Sequence, residues 1–327
     1  MPFLLLVIIL VAVASGFLNG LHDSSNVVAT MISSRAMSPR TALTMTAAAE
    51  FAGPFLFGVA VATTIGSEVI QPDAINSAVI LAALGSTIVW NLITWYFGWP
   101  SSTSHALIGG IIGGAGMAEG FHTVKLPGLE KVVVALFLSP ILGLVVGYLV
   151  LKLIYFLARG ATPRVNAFFK RSQLITALAL ALSHSTNDAQ KTMGVIAMAM
   201  VTTGYVAQFQ VPWWVIALSA GAMAAGTITG GWRLIRTLGA RFYKIRPVHA
   251  FGSQLTSAAI ILGAALLGGP VSTTQVVSSA IMGAGSADRV SKVRWTVAQD
   301  IALAWVLTIP VSALLAAGIY LLINQLI

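Results

Sequence analysis

Across 327 residues, hydrophobic side chains make up 57% of the chain and charged ones only 8%. That leaves too few polar groups for a water-facing surface and excludes an ordinary soluble domain. The net charge of +9 sits mostly in short loops, so it does not mark a nucleic-acid face, and the absence of cysteine excludes disulfides and thiolate metal sites.

Ten segments are long or apolar enough to cross a bilayer, which takes about 20 residues as a helix. They fall near residues 3–33, 42–63, 76–97, 101–118, 131–158, 173–201, 212–232, 248–268, 271–286 and 296–324. The first is too long for a signal peptide, lacks a basic leading region and carries Asn19, Asp23 and Asn26 deep inside, so it reads as a mature span. His22 adjoins Asp23, and Asn19 and Asn26 share its helix face. The second segment buries Glu50 in TAAAEFAG. The third ends among Trp90, Trp95 and Trp99, which suit an interfacial aromatic belt, as do Trp213 and Trp214 later.

The fourth segment opens with Pro100-Ser101-Ser102-Thr103-Ser104-His105 and continues into a glycine-rich run. The string returns 170 residues later as Pro270-Val271-Ser272-Thr273-Thr274-Gln275, and Pro140 and Pro310 keep the same spacing. The sixth segment, 173–201, carries His184, Asn187, Asp188 and Lys191, with Asp188 lying 165 residues after Asp23. In the eighth, Gln254 in FGSQLTS matches Glu50 by pattern. Two degenerate copies of one unit are the signature of a transporter whose site lies between repeats. The implied fold is an all-α integral membrane protein with two inverted repeats of five segments: residues 1–158, a linker at 159–172, and residues 173–327.

Loop charge orients the chain. Fourteen of eighteen Lys and Arg fall in four loops: Arg35 and Arg40; Arg159 to Arg171; Arg233 to Arg246; and Arg289 to Arg294. The loops near 64–75 and 202–212 have none, and the former carries Glu68 and Asp73. By the positive-inside rule the basic loops face the cytoplasm and both termini face outward, across the cell (inner) membrane. An odd number of crossings per repeat then inverts the second copy. The two hexapeptide segments are short and flexible; each reads as a broken or hairpin-like element that still leaves the chain on the opposite side. Asp300, at the inner end of the last segment, reads as an interfacial charge, and His122 and His249 as interface residues.

The chemistry follows from these parts. Proline suits the first turn of a helix, which would place Ser102, Thr103, Ser104, Ser272, Thr273 and Thr274 at half-helix N-termini. Free N–H groups and the macrodipole favour an anion there. Small hydroxyl residues also serve as helix–helix contacts, but two aligned clusters behind proline favour the site. Acidic groups inside apolar spans line a pathway or meet a partner. Carboxylate and amide oxygens of Asp23, Asn26, Asn187 and Asp188, with carbonyls from an unwound turn, would make a hard-oxygen cage for Na⁺. Glu50 and Gln254 are further cation-ligand candidates, and Asn19, His22, His184 and Lys191 support. The same carboxylates can take a proton instead, so Na⁺ and H⁺ both stay open. Lys191 breaks the symmetry by standing where the first copy has Asn26, and its simplest role is to balance Asp188. No His-Glu-x-x-His or comparable metal constellation is present, which argues against an enzyme.

The strings GFLNGLHDSSN and SHSTNDAQKTMG, with PSSTSH and PVSTTQ, resemble the inorganic phosphate transporter (PiT) family along essentially the whole chain. The resemblance implies cation-coupled transport of inorganic phosphate by an inverted-repeat homodimer, without a cofactor. It makes Asp23, Asn26, Asn187 and Asp188 cation-site residues and the two Ser/Thr clusters the phosphate cradle. Departures from the family pattern are His22 in place of a frequent Asn, Ser25 in place of Ala, Ser185 in place of Gly, and Gln275 in place of His. Ser185 would narrow an unwound turn. Sulfate remains the alternative substrate, and an uncoupled anion channel the alternative mechanism.

Overall fold

The computed structural model describes residues 3–71, 74–162, 164–237 and 245–325. Asp73, Arg241 and Lys244 lie outside the described residues, as does the side chain of Asp300. Among the described residues twelve α-helices form: α1 (Phe3–Ser33), α2 (Pro39–Phe57), α3 (Ala60–Thr63), α4 (Ser77–Phe97), α5 (Thr103–Ala118), α6 (Leu126–Leu157), α7 (Val165–Thr202), α8 (Trp213–Thr229), α9 (Trp232–Arg236), α10 (Pro247–Leu266), α11 (Thr273–Asp288) and α12 (Trp295–Asn324). Five of them, α1, α4, α6, α10 and α12, are long and apolar enough to span a bilayer unaided.

The second helix of each half breaks. A bend of 75° separates α2 from α3 and the π-turn Thr64–Glu68 that continues it. Gly58, at φ 81°, makes this bend, and Gly230, at φ 73°, makes the break between α8 and α9. Such dihedrals favour glycine because a Cβ is crowded there. The expected single spans 42–63 and 212–232 are therefore each two pieces.

α4 and α5 form a hairpin with its tip at residues 98–102, and its open ends are tied together. Ile70 bridges to Val124, the Gln71 N–H donates to the Thr123 carbonyl at 3.0 Å, and the Lys125 N–H donates to the Val69 carbonyl at 2.9 Å. α10 and α11 repeat the design, with His249 at the base 4.0 Å from Asp288. Hairpin geometry at the Ser/Thr motifs is thus present, but each hairpin returns the chain to the end it came from. The expected exit on the opposite side is corrected: the short glycine-rich helix retraces its partner.

Helix contacts repeat with the halves exchanged. α1 packs on α8 and α7 on α2; α5 packs on α12 and α11 on α6; α1 meets α4 as α7 meets α10. Among the described residues, two large apolar cores and a smaller one around Leu151 and Phe169 result. Of the large two, one gathers Leu5, Ile8, Val79, Met193 and Met200, and the other gathers Val27, Met31, Leu180, Ile261 and Ile281. Between them α1 and α7 carry their polar residues. Outside, α6 and α12 expose Ile141, Leu149, Val306 and Leu314, as helices facing lipid would. Trp90 and His249, read as interfacial, are buried instead, and the His249 ring lies 2.9 Å from the Tyr155 hydroxyl.

Candidate binding site

The two aspartates lie on unbroken helices. The expected unwound turns are absent from α1 and α7, which run continuously through Asp23 and Asp188. Neighbouring hydroxyls turn back onto the helix's own carbonyls: Ser25 Oγ donates to the His22 carbonyl at 3.2 Å and Ser185 Oγ to Leu182 at 3.3 Å. Ser185 therefore narrows no unwound turn. The backbone opens at the hairpin tips, where residues 100–102 and 270–272 are non-helical and Ser102 and Ser272 are extended before α5 and α11 begin.

Ser102 and Ser272 cap those helices, accepting from the N–H groups of His105 at 3.1 Å and Gln275 at 3.3 Å. These caps leave the next two hydroxyls free to reach inward. Thr103 Oγ1 donates to Asp23 Oδ2 at 3.3 Å, and Thr273 Oγ1 donates to Asp188 Oδ2 at 2.9 Å, each within its own half. The following residue crosses to the other half. Thr274 Oγ1 donates to Asp23 Oδ1 at 3.0 Å and accepts from Asn26 Nδ2 at 3.0 Å. Ser104 Oγ accepts from Lys191 Nζ and donates to the Val271 carbonyl at 2.9 Å. Two helix N-termini from opposite halves thus converge on one aspartate pair.

Lys191 Nζ also holds Asp188 Oδ1 and approaches the Val271 carbonyl at 3.3 Å. His184 stands between the carboxylates, its Nε2 being 3.4 Å from Asp188 and 3.9 Å from Asp23. One ligand atom each from Asp23, His184 and Asp188 lies within 4.8 Å of the others. On its other side His184 Nδ1 meets Glu50 Oε1 at 2.8 Å, and Glu50 Oε2 accepts from Thr227 at 2.6 Å. Glu50 therefore sits one residue behind the aspartates. Gln254 is spent elsewhere, accepting from Thr176 at 2.6 Å and donating to Thr30 at 2.9 Å. All of these groups are buried.

Unpartnered oxygens complete the cluster. Asn26 Oδ1, Asn187 Oδ1 and Asn19 Oδ1 are buried without a hydrogen-bond partner, although Asn187 Nδ2 is anchored on the Gly269 carbonyl at 2.9 Å. Such orphans are rare in native proteins and suit a bound cation or water. A polar cavity of about 20 Å³, lined by Ser15, Asn19, Asn91, Thr103 and Lys191 among others, adjoins the site. It holds about one water.

Sequence reasoning missed several supports. Thr94 Oγ1 accepts from Ser101 at 3.0 Å and lies 3.3 Å from His22 Nε2. Gln190 Oε1 accepts the N–H groups of Val61 and Ala62 beyond the break at Gly58. Ser24 Oγ accepts from the Gly231 N–H in the mirrored break. Gln190 and Ser24 stand beside the aspartate motifs, but their partners lie more than a hundred residues away.

Known proteins resemble this chain along nearly its whole length. The model of the phosphate transporter family matches residues 19–163 and 158–316. A protein of Bacillus subtilis named "Probable low-affinity inorganic phosphate transporter" is 42% identical over 99% of this chain and 98% of its own length. One of the same name from Rhizobium meliloti is 42% identical over 97% of this chain and 96% of its own. Among solved structures, "The sodium-dependent phosphate transporter" has the same fold, with a TM-score of 0.89, 22% identity and coverage of 99% of this chain and 100% of that one. These relatives are transporters, not enzymes. By family model and by near full-length identity, the chain is a membrane protein of the phosphate transporter family.

Proposed function

We propose that the protein imports inorganic phosphate by cation symport, with alternating access around the site between its two halves. The observation that carries this is the convergence of Thr103 and Ser104 from one hairpin, and Thr273 and Thr274 from the other, on Asp23, Asp188 and Lys191. An oxyanion here meets hydroxyl donors, two helix N-termini and one ammonium. The same hydroxyls touch carboxylates, so an anion would lie against acceptors. Phosphate carries a proton at neutral pH and can donate to a carboxylate, whereas sulfate only accepts. That contrast favours phosphate.

Symport follows from charge. Even with Glu50 paired to His184, Asp23 and Asp188 outnumber Lys191, so an arriving anion needs cations or protons with it. The orphan oxygens of Asn26 and Asn187 supply ligands beside the aspartates, and the solved neighbour is named as sodium-dependent. Three full crossings and one returning hairpin per half still make an odd number. The second half is then inverted, with units 1–158 and 173–327, both termini outside and the basic loops in the cytoplasm. A homodimer in the cell membrane, testable by light scattering of the purified protein, completes the proposal.

Labelled phosphate uptake into proteoliposomes tests it, with Na⁺ and proton gradients imposed separately and excess unlabelled sulfate as competitor. Accumulation driven by one gradient and indifferent to sulfate is expected. Block by sulfate would reassign the substrate, and equilibration blind to both gradients would make the protein a channel.

A further inference from the structure

Lys191 and Asn26 occupy matching positions, three residues after Asp188 and Asp23. Their contacts mirror each other across the halves: Asn26 Nδ2 donates to Thr274 Oγ1, and Lys191 Nζ donates to Ser104 Oγ. The two differ in what they leave over. Asn26 keeps a buried, unpartnered Oδ1 beside Asp23, an acceptor available to a cation. A lysine ammonium has three donors and no acceptor. Lys191 spends all three on oxygens: Asp188 Oδ1, Ser104 Oγ and the Val271 carbonyl. Seen from Asp188, an ammonium in a cage of oxygens is what a bound monovalent ion would be.

We infer that Lys191 is a tethered cation that fills the ion position of the second half, so that one mobile cation, held on the Asp23–Asn26 side, accompanies each phosphate. The inference rests on the symport reading above and fixes its stoichiometry. Asp23 and Asp188 against Lys191 leave one negative charge to neutralise, and Glu50 faces His184 rather than the aspartates. With asparagine at position 191 two charges would remain, and ionised groups left unpaired at membrane depth are costly. On the second side, among the described residues, Asn187 Oδ1 and the His184 Nε2 beside Asp188 are without a hydrogen-bond partner, and Asn187 Oδ1 is the oxygen acceptor left for another mobile ion. If that atom held one, the coupling ratio would reveal it.

Reversal potentials of phosphate flux in proteoliposomes, measured against imposed Na⁺ and proton gradients, give that ratio for the wild-type protein. One cation per phosphate is expected. Two per phosphate would overturn the tethered-cation assignment and leave symport standing, whereas flux blind to both gradients would overturn symport itself. Lys191→Asn restores at the mirrored position the chemistry of Asn26, and its ratio is expected to rise by one cation. Should the variant not transport, cation-dependent thermal stabilisation of the purified protein in phosphate replaces flux. Its slope against Na⁺, or against pH, should steepen from about one bound ion to about two, since a ligand that binds only the folded state stabilises by mass action. An unchanged slope in both titrations overturns the assignment.

Discussion

The two halves meet the site with the same parts and different electrostatics. In the first, Asp23 has hydroxyl partners, an imidazole and an asparagine with a spare oxygen. In the second, Asp188 is closed by the Lys191 ammonium. Equivalent aspartates therefore have different work. On the proposed reading the first is the side open to an ion that comes and goes, while Asp188 is paired with Lys191, which also braces Ser104 of the opposite hairpin. Repeats that diverge in charge while keeping their geometry can hold one symmetric substrate and still count ions asymmetrically.

The largest effect that would break this distinction comes from neutralising each aspartate. Both Asp23→Asn and Asp188→Asn should abolish concentrative phosphate uptake. Stability should separate them. Asp188→Asn leaves a buried ammonium without its counter-ion, and breaking one side of such a pair costs about 3–5 kcal/mol. Asp23→Asn keeps an oxygen for Thr274 or Thr103 and strands no lysine, so its loss should be a fraction of that. Thermal unfolding of the purified variants reads the difference, and equal losses would mean that the two aspartates are equivalent after all.

A smaller effect tests the hairpin tips, which are latched to different neighbours. Arg233 Nη1 donates to the Tyr96 carbonyl at 2.5 Å, and Thr237 Oγ1 donates to Gly98 at 3.2 Å, holding the first tip on α9 and the turn that follows it. At the second tip Gly268 packs against Ala60, Thr64 and Lys131, and Lys131 in turn binds Thr64 Oγ1 at 2.9 Å and Glu68 at 3.2 Å. Arg233→Gln should release the first tip alone. The chain has no cysteine, so Trp99→Cys and Leu267→Cys, at exposed positions of the two tips, can be labelled in a clean background. Labelling of the first should rise several-fold with Arg233→Gln and labelling of the second should not. A parallel rise would show one linked gate.

Much of this was legible in the chain because membrane chemistry leaves few options. Asp23, Asp188 and the Ser/Thr strings stand out where apolar residues are the rule, and their spacing pairs them before any geometry is known. The hairpin turns were legible only in part: glycine-rich shortness marks α5 and α11 as unusual, but not on which side they finish. That is set by pairing of 69–71 with 123–125, a backbone contact with no side-chain signature. The unwound turns were expected at the aspartates because an ion cage needs carbonyls. The chain breaks at Gly58 and Gly230 instead, where positive φ is cheap, and extends at the two hairpin tips. Gln254 matched Glu50 by pattern, yet only Glu50 meets a histidine, because its partner His184 answers to Asn19 in the first half.

The smallest effect sharpens the contrast at the breaks themselves. Bent backbone at membrane depth must find partners within the protein, and the two halves supply them unequally. Gln190 takes the Val61 and Ala62 N–H groups at 2.8 and 3.1 Å and donates to the Gly58 carbonyl at 2.7 Å. Ser24 serves the other break with one bond, from the Gly231 N–H at 2.8 Å. A buried group stranded by mutation costs about 1–3 kcal/mol. Gln190→Ala strands three such groups and opens room for water to recover part of the loss, so about 2–4 kcal/mol is expected. Ser24→Ala strands one, for about 1 kcal/mol. Denaturation in detergent should order the variants accordingly. If Ser24→Ala proved the more damaging, the α8–α9 break would be the stiffer of the two, and the first half, not the second, would hold the looser joint.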